Sequence, residues 1–203
     1  MRVTAETKAK TRERILEAAQ KMFAGQGFEA TTTRDVAREA GIATGTLFNY
    51  FATKEDILAC QAREALDRAR ADFDRRADEA ASLDEALFAY IAAGLRRLKP
   101  LRKHLPALLQ SALSPLAAAP SAEAVSLRVS FLEMAAQLAQ EHDVGELPPV
   151  ALQLAWTLYT GVLIFWAGDK SPRQEDTLAL LDQSLRMFVG WLGYAECGIR
   201  KAE

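Results

Sequence analysis

The chain has 203 residues, 50% of them apolar and 26% charged, with a formal net charge of −2. That balance excludes a disordered or fibrous chain and allows one good-sized core, or a small domain joined to a larger one. Near neutrality removes the overall basic footprint usual for a nucleic-acid binder, yet it hides an asymmetry: Arg2, Lys8, Lys10, Arg12 and Arg14 face only Glu6 and Glu13 at the start, and the chain past Lys54 is acidic on balance.

Helical spacing recurs almost everywhere and strand-like alternation nowhere, so the chain reads as all-α, with about nine helices expected. The opening "MRVTAETKAK" lacks an apolar run, and no signal peptide is expected. A first helix is predicted from Thr7 to Ala24, where Ile15, Ala18, Ala19, Met22 and Phe23 step by three and four before Gly25 and Gly27 stop it. In "ATTTRDVAREAG", Thr32 or Thr33 can cap a two-turn helix, Asp35 suits its first turn and Gly41 its left-handed end. The stretch "ATGTLFNYFATKED" supplies another short helix after only "GIAT". Two short helices joined so closely behind a longer one form a helix-turn-helix pattern.

Longer helices follow: Lys54 to Ala80 with Leu58, Ala62, Leu66, Ala69 and Phe73 on one face, one capped by Ser82 and ending near Leu98, and one from Pro100 to Leu113. After the loop "SPLAAAPSAE" come helices from Ser121 to Glu141, Pro149 to Ala167 and Pro172 to Tyr194. All seven prolines lie between Pro100 and Pro172. A boundary is therefore expected near residue 53, giving a DNA-binding domain over 1–53 and a second domain over 54–203. Residues 151–168 are nearly all apolar but contain Gln153, Thr157 and Thr160, and a fully buried helix rather than a membrane span is expected. Cys60 and Cys197 match no redox or metal spacing and suit a reducing cytoplasm as unpaired thiols.

On the second short helix, three- and four-residue spacing separates Leu47, Phe48 and Phe51, expected to dock it, from Thr46, Asn49, Tyr50 and Thr53 on the outside. A helix seated in a major groove would put Thr44, Gly45, Thr46 and Asn49 against base edges or phosphates. Asn49 can pair with adenine, and threonine hydroxyls and methyls can serve phosphate oxygens or a thymine methyl. Tyr50 and Lys54 are placed to grip the phosphate backbone.

Read together, residues 12–56 resemble the DNA-binding domain of the TetR family of bacterial transcriptional regulators. The resemblance lies in Phe23-Ala24 and Gly27-Phe28, Thr32-Thr33 with Asp35-Val36-Ala37, Gly41-Ile42, and Gly45-Thr46-Leu47 with Tyr50-Phe51 and Lys54-Glu55. It implies an all-helical homodimer whose first domain precedes a divergent ligand-binding and dimerising one. It also implies phosphate-holding roles for Thr33, Tyr50 and Lys54, and a base contact for Arg34. Ala43 departs from the serine common at that position, which leaves Thr44 to cap as well as to contact DNA.

The function so implied is a ligand-responsive regulator, most simply a repressor that binds a palindromic operator as a homodimer and is released by a small molecule. Candidate pocket residues are Phe73, Phe88, Tyr90, Leu95, His104, Phe131, Met134, Trp156 and Tyr159, which serve equally well as ordinary core. The dimer is expected to use Leu154, Leu158, Phe165, Leu178, Leu181, Leu185, Phe188 and Leu192 of the last two helices as a four-helix face. His104 and His142 match no ligand spacing, so no metal is expected. The sequence has no Gly-rich phosphate loop or nucleophile elbow and so gives no support to an enzyme, a catalytic residue or a cofactor. An all-helical carrier and a structural adaptor are the alternatives.

Overall fold

A computed structural model describes residues 4–75, 82–109 and 122–199. The described residues are helical, without strands: α1 (Ala5–Gly25), α2 (Thr33–Glu39), α3 (Thr44–Phe48), α4 (Lys54–Asp74), α5 (Leu83–Leu98), α6 (Leu105–Leu108), α7 (Ala122–Glu141), α8 (Pro149–Gly168) and α9 (Glu175–Ile199). Two compact units divide at residues 62 and 63, so α4 gives its first two turns to the first unit.

In the first unit α1 packs on α2 and α2 on α3. Ile15, Ala19, Phe23, Val36, Leu47 and Ile57 are almost wholly buried, each large side chain contributing about 1.5–3 kcal/mol by leaving water. α1 begins at Thr4, whose hydroxyl accepts the Thr7 N–H at 3.2 Å. It ends before Gly27, whose φ of +90° lets the chain reverse toward Phe28. The Phe23 and Phe28 rings meet edge-on at 5.0 Å, and the buried Thr31 donates to the Gly27 carbonyl at 2.6 Å.

In the second unit α5 packs on α7 and α9, and α8 on α6, α7 and α9. The helix expected from Pro100 to Leu113 is instead a 3-10 stretch, Lys99–His104, followed by the single turn of α6. Two prolines explain the break, since neither Pro100 nor Pro106 has the N–H that a continuous helix needs. The part of that expectation beyond 109, the "SPLAAAPSAE" loop and the end expected for α4 at Ala80 lie wholly or largely outside the described residues. Ser82 stands at the N-cap of α5 but makes no capping bond.

α8 is long and apolar enough to cross a membrane by length and composition. Here it packs among helices, with Trp156, Tyr159, Val162 and Trp166 buried. The expected full burial does not hold: Val150, Leu154, Ile164 and Phe165 remain exposed, because neighbouring helices cover one side only.

Candidate nucleic-acid interface

α2 owes its start to a reciprocal cap. The Thr32 hydroxyl accepts the Asp35 N–H at 3.2 Å, while the Asp35 carboxylate accepts the Thr32 N–H at 3.1 Å and its hydroxyl at 2.6 Å. Those Thr32 bonds, with Arg38 at 2.7 Å, hold the Asp35 carboxyl below its ordinary range. At the other end Gly41 adopts φ +64°, and a Cβ there would meet Arg14 Nη2 at 3.1 Å. That guanidinium donates to the Ala40 carbonyl, so α1 fixes the turn that aims α3.

α3 is a five-residue helix. Leu47 (0% exposed) and Phe51 (4%) anchor its region, but Phe48 is 51% exposed and does not dock it. The correction follows from the helix itself: Phe48 lies four residues from Thr44 and three from Gly45, so it shares their outward face. That spacing was available in the sequence and was masked by the run of aromatic residues. Gly45, Phe48 and Asn49 are exposed, while Thr44, Thr46 and Tyr50 are half-buried. Thr44 does not cap; Ala43 occupies the N-cap and offers no side-chain acceptor.

Thr33 is half-buried at the first position of α2, and Arg34 beside it is exposed and forms no ion pair among the described residues. Lys54 is otherwise engaged: its ammonium donates to the Phe28 and Glu29 carbonyls at 2.9 and 3.2 Å and sits 4.4 Å from the centre of the Phe28 ring. Two of its three N–H groups therefore hold α4 to the turn after α1.

In the second unit Phe73, Tyr90, Phe131, Trp156 and Tyr159 form one aromatic cluster, with Phe131 stacked on Tyr159 at 4.3 Å and Phe73 edge-on to Tyr90 at 5.6 Å. Burial raises the pKa of both tyrosines and pushes His104 down. Met134 is buried in the same unit. A cavity of about 480 Å³ lies elsewhere in the unit, and of the expected pocket residues only Leu95 lines it.

Of the residues expected at a dimer face, Leu154, Phe165 and Leu178 are exposed and Leu158 is half-buried. Leu181, Leu185, Phe188 and Leu192 are at most 7% exposed and cannot also face a partner. Their seam is filled from within the chain, where α9 packs on α5 and α8. Met187 at 76% and Trp191 at 38% are the outward apolar residues of α9 that periodicity missed.

A capped helix, a glycine turn and a short helix with an outward polar face define a helix-turn-helix module, joined to a separate helical unit. The family described as bacterial regulatory proteins, tetR family, matches residues 15–59. The HTH-type transcriptional regulator HbdR of Aromatoleum sp. (strain CIB) is 38% identical over 65 residues, 32% of this chain and 28% of that protein. The HTH-type transcriptional repressor KstR2 of Mycolicibacterium smegmatis is 34% identical over 91 residues, 45% of this chain and 44% of that protein. The matched stretches thus span less than half of those curated relatives. Among solved structures, Thermus thermophilus FadR, a TetR-family transcriptional repressor in complex with lauroyl-CoA, is 25% identical with a TM-score of 0.66, covering 88% of this chain and 93% of that one. A TetR transcriptional regulator from Rhodococcus sp. RHA1 shares the fold at a TM-score of 0.69 and 21% identity, over 89% and 97% of the two chains. Residues 15–59 thus match the DNA-binding segment of the tetR family, and the described helices share their fold with TetR-family transcriptional regulators.

Proposed function

We propose that this protein is a cytoplasmic, ligand-responsive transcriptional repressor that binds a palindromic operator as a homodimer. The observation that carries the reading is the exposed face of Gly45, Phe48 and Asn49 on α3, together with an Arg34 at the start of α2 that is exposed and forms no ion pair among the described residues. A polar helix face with one exposed aromatic ring matches a major groove, where amide pairs read adenine and an apolar group reads the thymine methyl. Thr33, Thr44, Thr46 and Tyr50 flank that face and supply hydroxyls for the phosphates, and Lys54 keeps one N–H for the same use.

The dimer is supported by the apolar side chains left outward on α8 and α9, chiefly Leu154, Phe165, Met187 and Trp191. An isologous contact across them would give two copies of α3 related by a two-fold axis, and hence a palindromic site with half-sites about 34–36 Å apart. The effector would act by binding more tightly to a dimer whose α3 spacing does not fit the operator.

The test is selection of genomic fragments by the purified protein at two salt concentrations. Enrichment of a palindrome protected over both half-sites is expected. Motif-free binding that fades steeply with salt would leave only non-specific electrostatics and overturn the reading.

A further inference from the structure

The cavity of about 480 Å³ is lined by residues of α5, α8, α9 and the segments that join them, and its charge is one-sided. Arg96, Lys99, Arg102, Lys170 and Arg173 all line it, and among the described residues Asp169 is the only acid that does. Asp169 is already saturated: its carboxylate accepts the Ser171 N–H at 2.7 Å, the Thr177 N–H at 3.0 Å and the Thr177 hydroxyl. Arg102 is fixed in place. It donates to the Trp166 carbonyl at 2.8 Å and to the Asp169 carbonyl, with its guanidinium 5.5 Å from the centre of the indole.

Arg96, Lys99, Lys170 and Arg173 form no ion pair among the described residues. With Arg102, five cations line this concave site against the one carboxylate of Asp169, so they repel one another and their net positive field draws an anion in. The backbone at Arg173 and Gln174 is held at φ +53° and +63°, unusual for side-chain-bearing residues. The Trp166 indole N–H donates to Gln174 Oε1 at 2.8 Å and so ties this strained corner to the wall of the cavity. Ala92, Leu95 and Leu178 supply an apolar side.

We infer that this cavity binds a multiply phosphorylated small molecule, with its phosphates on Arg96, Lys99, Lys170 and Arg173 and its apolar or aromatic part against Leu95 and Leu178. The size lies within the usual range for small-molecule sites, about 300–1,000 Å³, and one bare phosphate would leave most of it unfilled. Arginine and lysine together suit a pyrophosphate, the fork by paired hydrogen bonds and the ammonium as a point charge. A nucleotide and a coenzyme A thioester share this chemistry. A role for such binding in operator release rests on the proposed function; occupancy of the cavity does not.

The test is calorimetry on the full chain without DNA, using ADP, coenzyme A, lauroyl-CoA, free laurate and inorganic phosphate. Binding of ADP or coenzyme A at least tenfold tighter than inorganic phosphate is expected, weakening with salt. Lys170→Ala and Arg173→Ala, both on exposed residues, should each reduce it about tenfold, whereas Arg186→Ala outside the cavity should not. Tighter binding of lauroyl-CoA than of coenzyme A would assign the apolar side to an acyl chain, and equal binding would assign recognition to the nucleotide part. Both outcomes support the site. Equal affinity for inorganic phosphate, binding of laurate as tight as that of the phosphorylated ligands, or indifference to both cavity variants would overturn it. Repeating the titration with operator DNA present separates this inference from the regulatory one, since either can fail alone.

Discussion

Leu47→Ala and Phe48→Ala should produce opposite outcomes although the residues are adjacent. Leu47 is wholly buried, and its truncation removes three carbons at about 0.8 kcal/mol each, or roughly 2.4 kcal/mol of transfer free energy. The residual cavity raises the cost toward the range of about 2.7–5 kcal/mol seen for buried leucines. Because α3 is short and can partly collapse, about 3 kcal/mol is expected. A unit the size of residues 1–62 has a stability of roughly 3–9 kcal/mol at typical values per residue, so the loss is a third or more of the total. Phe48 is half exposed and leaves no enclosed void, so its truncation should cost under about 1 kcal/mol and act instead on DNA affinity. Urea denaturation of the full chain, with hydrogen exchange followed on peptides from 1–62, measures both. Equal costs for the two variants would refute the placement of α3.

Arg34→Gln should weaken operator binding by about 1–3 kcal/mol and relax the preference at one base pair per half-site, read by binding to a panel of single-base operator variants. Thr32→Ala removes the reciprocal cap and should cost about 1 kcal/mol of first-unit stability in the same denaturation experiment. Met187→Glu, at an exposed apolar position of α9, should shift the protein to monomer in light scattering while its circular dichroism spectrum is retained. Burial, and next to it the Lys103 charge, disfavour the charged form of His104 and lower its folded pKa below the ordinary value. Between that ordinary value, about 6.5, and the lower folded one, the unfolded chain binds the proton first. Stability should therefore fall as pH drops below about 6.5, and His104→Gln should flatten that slope in melts at pH 7 and 5.5.

What was legible in the sequence is what local chemistry fixes. Thr32 or Thr33 with Asp35 marks a helix start, of which the structure selects Thr32 as the cap, and Gly41 alone marks a left-handed turn. Recurrent spacing likewise found the apolar seam of α9, but could not say whose helix fills it. Leu181, Leu185, Phe188 and Leu192 face their own chain, and only the packed structure distinguishes them from a partner-facing row. The cationic cavity was hidden for a related reason: Arg96 and Lys99 lie at the end of α5 and just after it, Lys170 and Arg173 between α8 and α9, and no periodicity joins the two pairs. Lys54 shows the reverse limit, a residue whose type suggested an external partner and whose ammonium meets two internal carbonyls.

Ala43 leaves α3 without the side-chain acceptor that a serine there would supply. Such a cap is worth about 1 kcal/mol, a large share for so short a helix. In the proposed complex the module would meet the groove with its reading element incompletely tied, and contact with the operator would supply what the missing cap does not. Ala43→Ser would harden the free protein while leaving less for the operator to complete. Resilience in isolation and responsiveness to the target would then pull in opposite directions at a single methyl group.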